Sequence, residues 1–218
     1  MKSQRLSKPG RICIPCVTLG EECEIDEGVL LGYRTGRQIA SQELIIAAGA
    51  RLRSGTVIYV GSCIGRNFQT GHNVTIREEN TIGDDVSIWA NSVVDYGCRI
   101  GDRVKIHSNV YVAQFTVIED DVFMAPGVIV ANDIHPGCAH SAECMRGPTL
   151  CRGARVGANV TILPYVTIGE YALIGAGSVV TGDIPAKAVA YGNPARVRKI
   201  LSDLTCVTGI TDVPYPDA

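Results

Sequence analysis

An aliphatic side chain recurs at every sixth position along most of this chain. From Ile46 the steps fall on Leu52, Ile58, Ile64, Thr70, Ile76, Ile82, Ile88, Val94, Ile100, Ile106, Val112, Ile118, Met124 and Val130. Fourteen of these fifteen positions hold Ile, Leu, Val or Met, and Thr70 is the exception. The frame resumes at Leu150 and runs through Val156, Ile162, Ile168, Ile174 and Val180; upstream it is present at Leu19, Ile25 and Leu31. A period of six matches neither the 3.6 residues of a helix turn nor the two-residue alternation of a flat strand. It fits a short strand followed by a turn. Three such units close a triangular coil of about 18 residues, and stacked coils form a solenoid whose core is a column of inward aliphatics.

The expected fold class is therefore all-β, a parallel β-helix. The 24 hexads give about eight triangular coils, a prism about 38 Å long at a spacing near 4.8 Å. Two breaks in the frame mark insertions. Fifteen residues separate Leu31 from Ile46 and twenty separate Val130 from Leu150, and neither is a multiple of six. Loops are expected near 35–44 and over 136–149, within a β-helix spanning 17–185. Residues 1–16 read as an N-terminal tail and 186–218 as a C-terminal cap and tail. Pro185 ends the frame, Tyr191–Arg196 (YGNPAR) is turn chemistry, and ARVRKILSDL predicts a short C-terminal amphipathic helix covering the open edge of the last coil.

Composition agrees with a narrow prism. Hydrophobic residues make up 46% of the chain but aromatics only 6%, and there are 24 glycines for turns. The net charge of −2, with Lys and Arg dispersed, excludes a general nucleic-acid binder, which needs a basic patch. No apolar run approaches the length of a membrane span. The charged N-terminus lacks the apolar stretch of a secretory signal, so a cytoplasmic location with reduced thiols is expected for the nine cysteines. Cys23 and Cys98 occupy small inward slots of the repeat. Cys138, Cys144 and Cys151 cluster around the second loop at spacings unlike the paired ligands of a zinc site, so no metal is expected. Cys13 and Cys16 form an isolated Cys-x-x-Cys pair in the expected tail.

The pattern resembles the hexapeptide-repeat acyltransferases over about Leu19 to Lys199. Two stretches carry the resemblance most closely. Ala125–Pro136 (APGVIVANDIHP) looks like the segment of sugar O-acetyltransferases that ends in a catalytic His followed by Pro. It also looks like a related Asn- and Pro-bearing segment of nucleotide-amino-sugar N-acetyltransferases. Val156–Lys199 is similar to the coenzyme-A-binding end of many members. The resemblance implies a left-handed β-helix, a homotrimer with active sites between prisms, and acetyl-coenzyme A as co-substrate. By match, Ala158, Ala176, Thr181, Arg196 and Lys199 would line the coenzyme site. Small side chains leave backbone amides open to the pantetheine arm, and cations suit the phosphates.

Acetyl transfer from a thioester needs a proton acceptor, a donor for the developing oxyanion and alignment of the two reactants. The candidate bases are His135, at the mouth of the second loop, and His107. Asn109, Asn132, Asp133 and His72 are candidate acceptor-binding residues. His140 reads as solvent-facing. The expected function is transfer of an acetyl group to an amino sugar, N-acetylation of a nucleotide-linked sugar in polysaccharide or glycoconjugate synthesis. Sugar O-acetylation is the alternative. A γ-carbonic-anhydrase-like metal lyase would pair His72 and His107 with a third histidine, but Val112 stands where it is expected. A non-catalytic scaffold is the remaining class.

Overall fold

A computed structural model describes residues 4–5, 12–14 and 16–215. The chain winds through eight coils, each contributing a two- to four-residue strand to three parallel sheets. Neighbouring coils pair in register at an offset of 18: Gln69 opposite Ser87, Thr75 opposite Val93, Thr81 opposite Arg99. The first face begins at Val17–Leu19, the second at Glu24–Ile25 and the third at Leu30–Tyr33. We call the edge between the second and third faces the second corner, and the edge where the third returns to the first the third corner.

The six-residue aliphatics form the core. Leu52, Ile58, Ile76, Ile88, Ile106, Val112, Met124, Leu150, Ile162 and Ile168 are all fully buried. Thr70 joins them at 2% exposure without an orphaned hydroxyl, because its Oγ1 is 2.9 Å from Thr56 Oγ1 and accepts the Arg53 amide at 3.0 Å. The turns explain why the period is six. Asn67, Asn73, Glu79, Asp85, Asn91, Arg103, Asn109, Phe115 and Asp121 each have φ between 56° and 62°. One left-handed residue per unit redirects the chain at each corner, and Asn and Asp tolerate that conformation best among non-glycines.

The two insertions lie on one corner. Val17 pairs with Leu44 and Glu24 with Arg51, an offset of 27, so the first loop adds nine residues. Val117 pairs with Thr149 and Phe123 with Arg155, an offset of 32, so the second adds fourteen. Both leave the third face and return to the first, so both project from the third corner. The second contains the single α-helix among the described residues, Ser141–Cys144.

The expected C-terminal helix is not formed. Arg196–Ile200 is a strand, antiparallel to Ala188–Tyr191, followed by a 3-10 turn at Leu201–Asp203. Ala188–Tyr191 is the last parallel strand of the second face, paired with Leu173–Ile174. Its free edge offers unpaired amides and carbonyls, and a hairpin strand satisfies them where a helix could not. Local amphipathicity lost to that edge. Part of the expected N-terminal tail is also strand: Gln4–Arg5 pairs with Glu24–Ile25 and Ile12–Ile14 with Val17–Leu19, both antiparallel. The side chain of Cys13 lies outside the described residues, as does Pro216.

Candidate functional site

The 18-residue register sorts the candidate residues onto two corners. Residues 54, 72, 90, 108, 126, 158 and 176 stack in one column on the second corner, and residues 53, 71, 89, 107, 125, 157 and 175 in the adjacent column. His72, His107, Ala158 and Ala176 therefore share this corner. Asn109 joins them as its left-handed turn residue, with φ of 60°. Arg196 completes the group at the C-terminal end, because it pairs with Tyr191, the last residue of the strand beside Leu173–Ile174. Lys199 lies farther back on the same strand, opposite Val189.

Close stacking explains the small residues here. A Cβ on Gly157 would stand 2.6 Å from the Ala176 nitrogen, and one on Gly71 2.4 Å from that of Ala90. Adjacent coils thus touch backbone to backbone. Ala176 remains exposed and Ala158 half-buried. His107 is half-buried, with its ring 4.9 Å from that of Phe123. Trp89, one coil nearer the N-terminus, is 39% exposed beside a shallow groove that also holds Arg51, Arg53 and His72. His72 Nδ1 is 2.9 Å from Ser54 Oγ. Val112 is fully buried in the core and its side chain is unavailable to a metal shared by His72 and His107.

The third corner carries the second group. Asn132 is 9% exposed at the root of the second loop. Asp133 follows, with Oδ1 accepting the His135 amide at 2.9 Å and Oδ2 accepting the Ser141 hydroxyl, so its carboxylate braces the loop. His135 is exposed, and its ring makes no hydrogen bond among the described residues. Thr181 is exposed on this corner as well, apart from Ala158 and Ala176. His140 is also exposed, 3.1 Å from Glu143. Within one chain, then, His135 and its neighbours do not meet His107 and the Ala158–Ala176 column.

The third corner also holds a buried polar ladder that the sequence reading missed. Glu78 is fully buried and receives Arg77 at 2.9 and 3.0 Å, Thr35 at 3.0 Å and Arg37 at 3.1 Å. Arg77 also lies 3.5 Å from Asp95, which is 6% exposed. Asp95 accepts Tyr111 Oη at 2.9 Å and Gln114 Nε2 at 2.8 Å, and Gln114 Oε1 accepts Asn132 Nδ2 at 2.6 Å. Arg37 stacks 3.5 Å above the Tyr96 ring. The ladder ties the first loop, through Thr35 and Arg37, to the root of the second. Burial, together with the bond to the Asp95 carboxylate, pushes the Tyr111 phenol up to about 12. A signal was present: polar residues recur at positions 78, 114 and 132, at multiples of the coil length.

The thiols divide as their positions imply. Cys23 and Cys98 are buried, and burial pushes the Cys98 thiol up to about 12. Cys138 is exposed, Cys144 and Cys151 are half-buried, and all three are free. Among the described residues, no helix is long and apolar enough to cross a membrane.

Comparison with known proteins places these features. The bacterial transferase hexapeptide family (six repeats) matches residues 97–132 and 147–182, and the hexapeptide repeat of succinyl-transferase matches 79–114. The break between the first two matches, 133–146, has the length of the fourteen-residue insertion. Galactoside O-acetyltransferase of Escherichia coli K12 is 33% identical over 141 residues, 64% of this chain and 54% of that protein. A dTDP-3-amino-3,6-dideoxy-α-D-galactopyranose 3-N-acetyltransferase of Aneurinibacillus thermoaerophilus is 56% identical over 54 residues, 25% of this chain and 28% of that protein. The chain spans about half or less of the length of these curated relatives. Among solved structures, a UDP-N-acetylglucosamine acyltransferase from Bacteroides fragilis matches with a TM-score of 0.68 at 19% identity, covering 87% of this chain and 74% of that one. That likeness is one of fold, a left-handed parallel β-helix.

Proposed function

The chain carries the hexapeptide repeats of bacterial transferases and has sugar acetyltransferases among its homologues, and on that premise we propose that it transfers an acetyl group from acetyl-coenzyme A to an amino sugar, linked to a nucleotide, in polysaccharide or glycoconjugate synthesis. The observation that carries this reading is the second corner. The small residues Ala158 and Ala176 share that corner with His107 of the adjacent column, and the corner ends at Arg196. Such a strip suits a neutral, amide-bearing arm with phosphates at one end.

The working unit in this reading is a homotrimer in which the third-corner loop of one protomer reaches the second corner of the next. The third face supports it. Its outward positions are Leu30, Val57, Val93, Tyr111, Ile129 and Val179, with Thr75 and Thr161 between them, and none is charged. The second face, by contrast, presents Glu24, Arg51, Lys105 and Arg155. An uncharged strip of this length fits burial against another copy.

His135, its ring exposed and without a hydrogen bond among the described residues, takes the proton of the acceptor amine as that amine attacks the thioester carbonyl, the C–S bond breaks and the coenzyme departs as its thiol. Asn132 and Asn109 hold the acceptor, with His72 farther along the groove. Thr181, Arg196 and Lys199 complete the coenzyme site with Ala158 and Ala176. A second reading makes His107 the base, favoured by its place on the same corner as Ala158 and Ala176. The deciding experiment is thioester consumption against a panel of nucleotide-linked amino sugars and their hydroxyl analogues. Turnover of amines supports N-acetylation. Turnover of hydroxyl analogues alone moves the reading to O-acetylation, and none with either class overturns it.

A further inference from the structure

A carboxylate can only accept hydrogen bonds, whereas a primary amide donates at one end and accepts at the other. Asp95 is ringed by donors: the Tyr96 amide at 2.9 Å, the Tyr111 hydroxyl at 2.9 Å, the Gln114 amide nitrogen at 2.8 Å and Arg77 at 3.5 Å. Gln114 must therefore turn its nitrogen toward Asp95 and its oxygen away. That oxygen receives Asn132 Nδ2 at 2.6 Å, so Asn132 must in turn present its own oxygen outward. Asn132 Oδ1 has no partner among the described residues, and it is not sealed from solvent. The reverse setting of both amides would drive the Gln114 oxygen against a carboxylate in a buried site, at high electrostatic cost.

We propose that Asp95 and Gln114 are positioning residues that fix the polarity of the Asn132 amide, so that the site presents a carbonyl oxygen to the acceptor; an amine arriving as an ammonium only donates and needs that oxygen, whereas a hydroxyl can donate or accept and meets either end of the amide. The inference rests on the reading of the third-corner loop as part of the acceptor site, and it names what sets that site's preference. A carbonyl oxygen accepts an N–H of the incoming amine and holds the nitrogen in a defined orientation. An amide held the other way round would present its NH2 group and repel an ammonium.

The logic can be inverted without removing the ladder. In Asp95→Asn the Tyr96 amide and Arg77, which only donate, hold the new oxygen at the Oδ1 position, so the new nitrogen faces Gln114 and the direction is reversed. In the double variant Asp95→Asn/Gln114→Glu, residue 95 donates and residue 114 accepts from both sides, which restores the outward oxygen of Asn132. The measurement is kcat/KM for an amino-sugar acceptor and for its hydroxyl analogue, with the coenzyme KM and the melting temperature alongside. Asp95→Asn is expected to lower the amine kcat/KM by about 10- to 100-fold, narrowing the preference over the hydroxyl analogue, with the coenzyme KM unchanged. The double variant is expected to recover the amine kcat/KM to within about threefold of the parent. An undiminished amine kcat/KM in Asp95→Asn, or a double variant no better than Asp95→Asn, overturns the proposal. So does equal loss for both acceptors without rescue, which is the signature of a merely structural role. If the parent protein turns over no amine at all, the functional reading itself falls and takes this inference with it. Amine turnover with failed rescue overturns the inference alone.

Discussion

Arg77 grips the fully buried carboxylate of Glu78 through two hydrogen bonds, of 2.9 and 3.0 Å, from adjacent positions in the chain. The pair sits where the first loop meets the prism, and Thr35 and Arg37 reach the same carboxylate from that loop. Burial alone would raise the Glu78 pKa. Donors from Arg77, its own backbone amide, Thr35 and Arg37 together outweigh burial and bring it down to about 2.

A folded-state pKa below the unfolded value stabilises the fold above the unfolded pKa, near 4.3, and the contribution disappears as pH falls through about 2. The shift corresponds to roughly 3 kcal/mol. Melting temperature should therefore fall between pH 4.5 and pH 2, and more steeply in the parent than in Glu78→Gln. Equal acid slopes in the two proteins would show that Glu78 does not carry the effect. At pH 7 Glu78→Ala should cost about 3–5 kcal/mol, because it leaves Arg77 without its principal partner.

His135→Ala should lower kcat by about 100- to 10,000-fold if its ring is the base, with little change in coenzyme affinity. His107→Ala should then act mainly on the acceptor KM, since its ring lies against Phe123 on the corner it shares with Ala158. Parallel kinetics of the two variants decide between them. A large kcat loss in His107→Ala with His135→Ala near the parent rate would transfer the role.

Excision of residues 133–146 removes fourteen residues, and the coil offset between Val117 and Thr149 becomes 18 instead of 32. The prism should close over the gap, because every strand on either side keeps its register and aliphatic columns. Circular dichroism and melting should show an intact β-helix, while acetyl transfer is lost with Asp133 and His135. Collapse of the fold would show that the loop, rather than the repeat, holds the coils in line.

Arg196→Ala should weaken coenzyme A by about tenfold, the value of one charge-assisted hydrogen bond to a phosphate, without altering the melting temperature. The side chain is exposed, and among the described residues its Nη1 bonds the neighbouring Ala195 carbonyl. Calorimetric titration with coenzyme A and with its dephosphorylated form reads the effect. Undiminished affinity would place the phosphates elsewhere.

Much of the architecture was legible because the repeat leaves few ways to bury its aliphatics. Eight coils, the inward slots of Cys23 and Cys98, and both insertions follow from arithmetic on residue positions. Thr70 shows the tolerance of that arithmetic: a hydroxyl takes an aliphatic position of the repeat because the buried Thr56 stands beside it to share a hydrogen bond. The C-terminal segment was misread because Arg196–Ile200 carries enough apolar residues for either structure, and the choice was made by the open edge of Ala188–Tyr191. The ladder through Glu78, Asp95 and Gln114 was overlooked because charged residues in a turn read as solvated until the loop that covers them is placed.

The sequence by itself determined the period, the number of coils and where extra residues must leave the prism, since each depends only on spacing along the chain. The tertiary structure decided which residues share a corner. His107 and Ala158 stand on one corner, in adjacent columns two coils apart, because the coils stack in register, while Asn132 and His135, which lie between them in sequence, face another edge. It also decided the direction of the Asn132 amide, which hangs on a carboxylate 37 positions away, two coils down the same corner. Polarity of that kind is passed through hydrogen bonds between stacked coils, and no local stretch of sequence contains it.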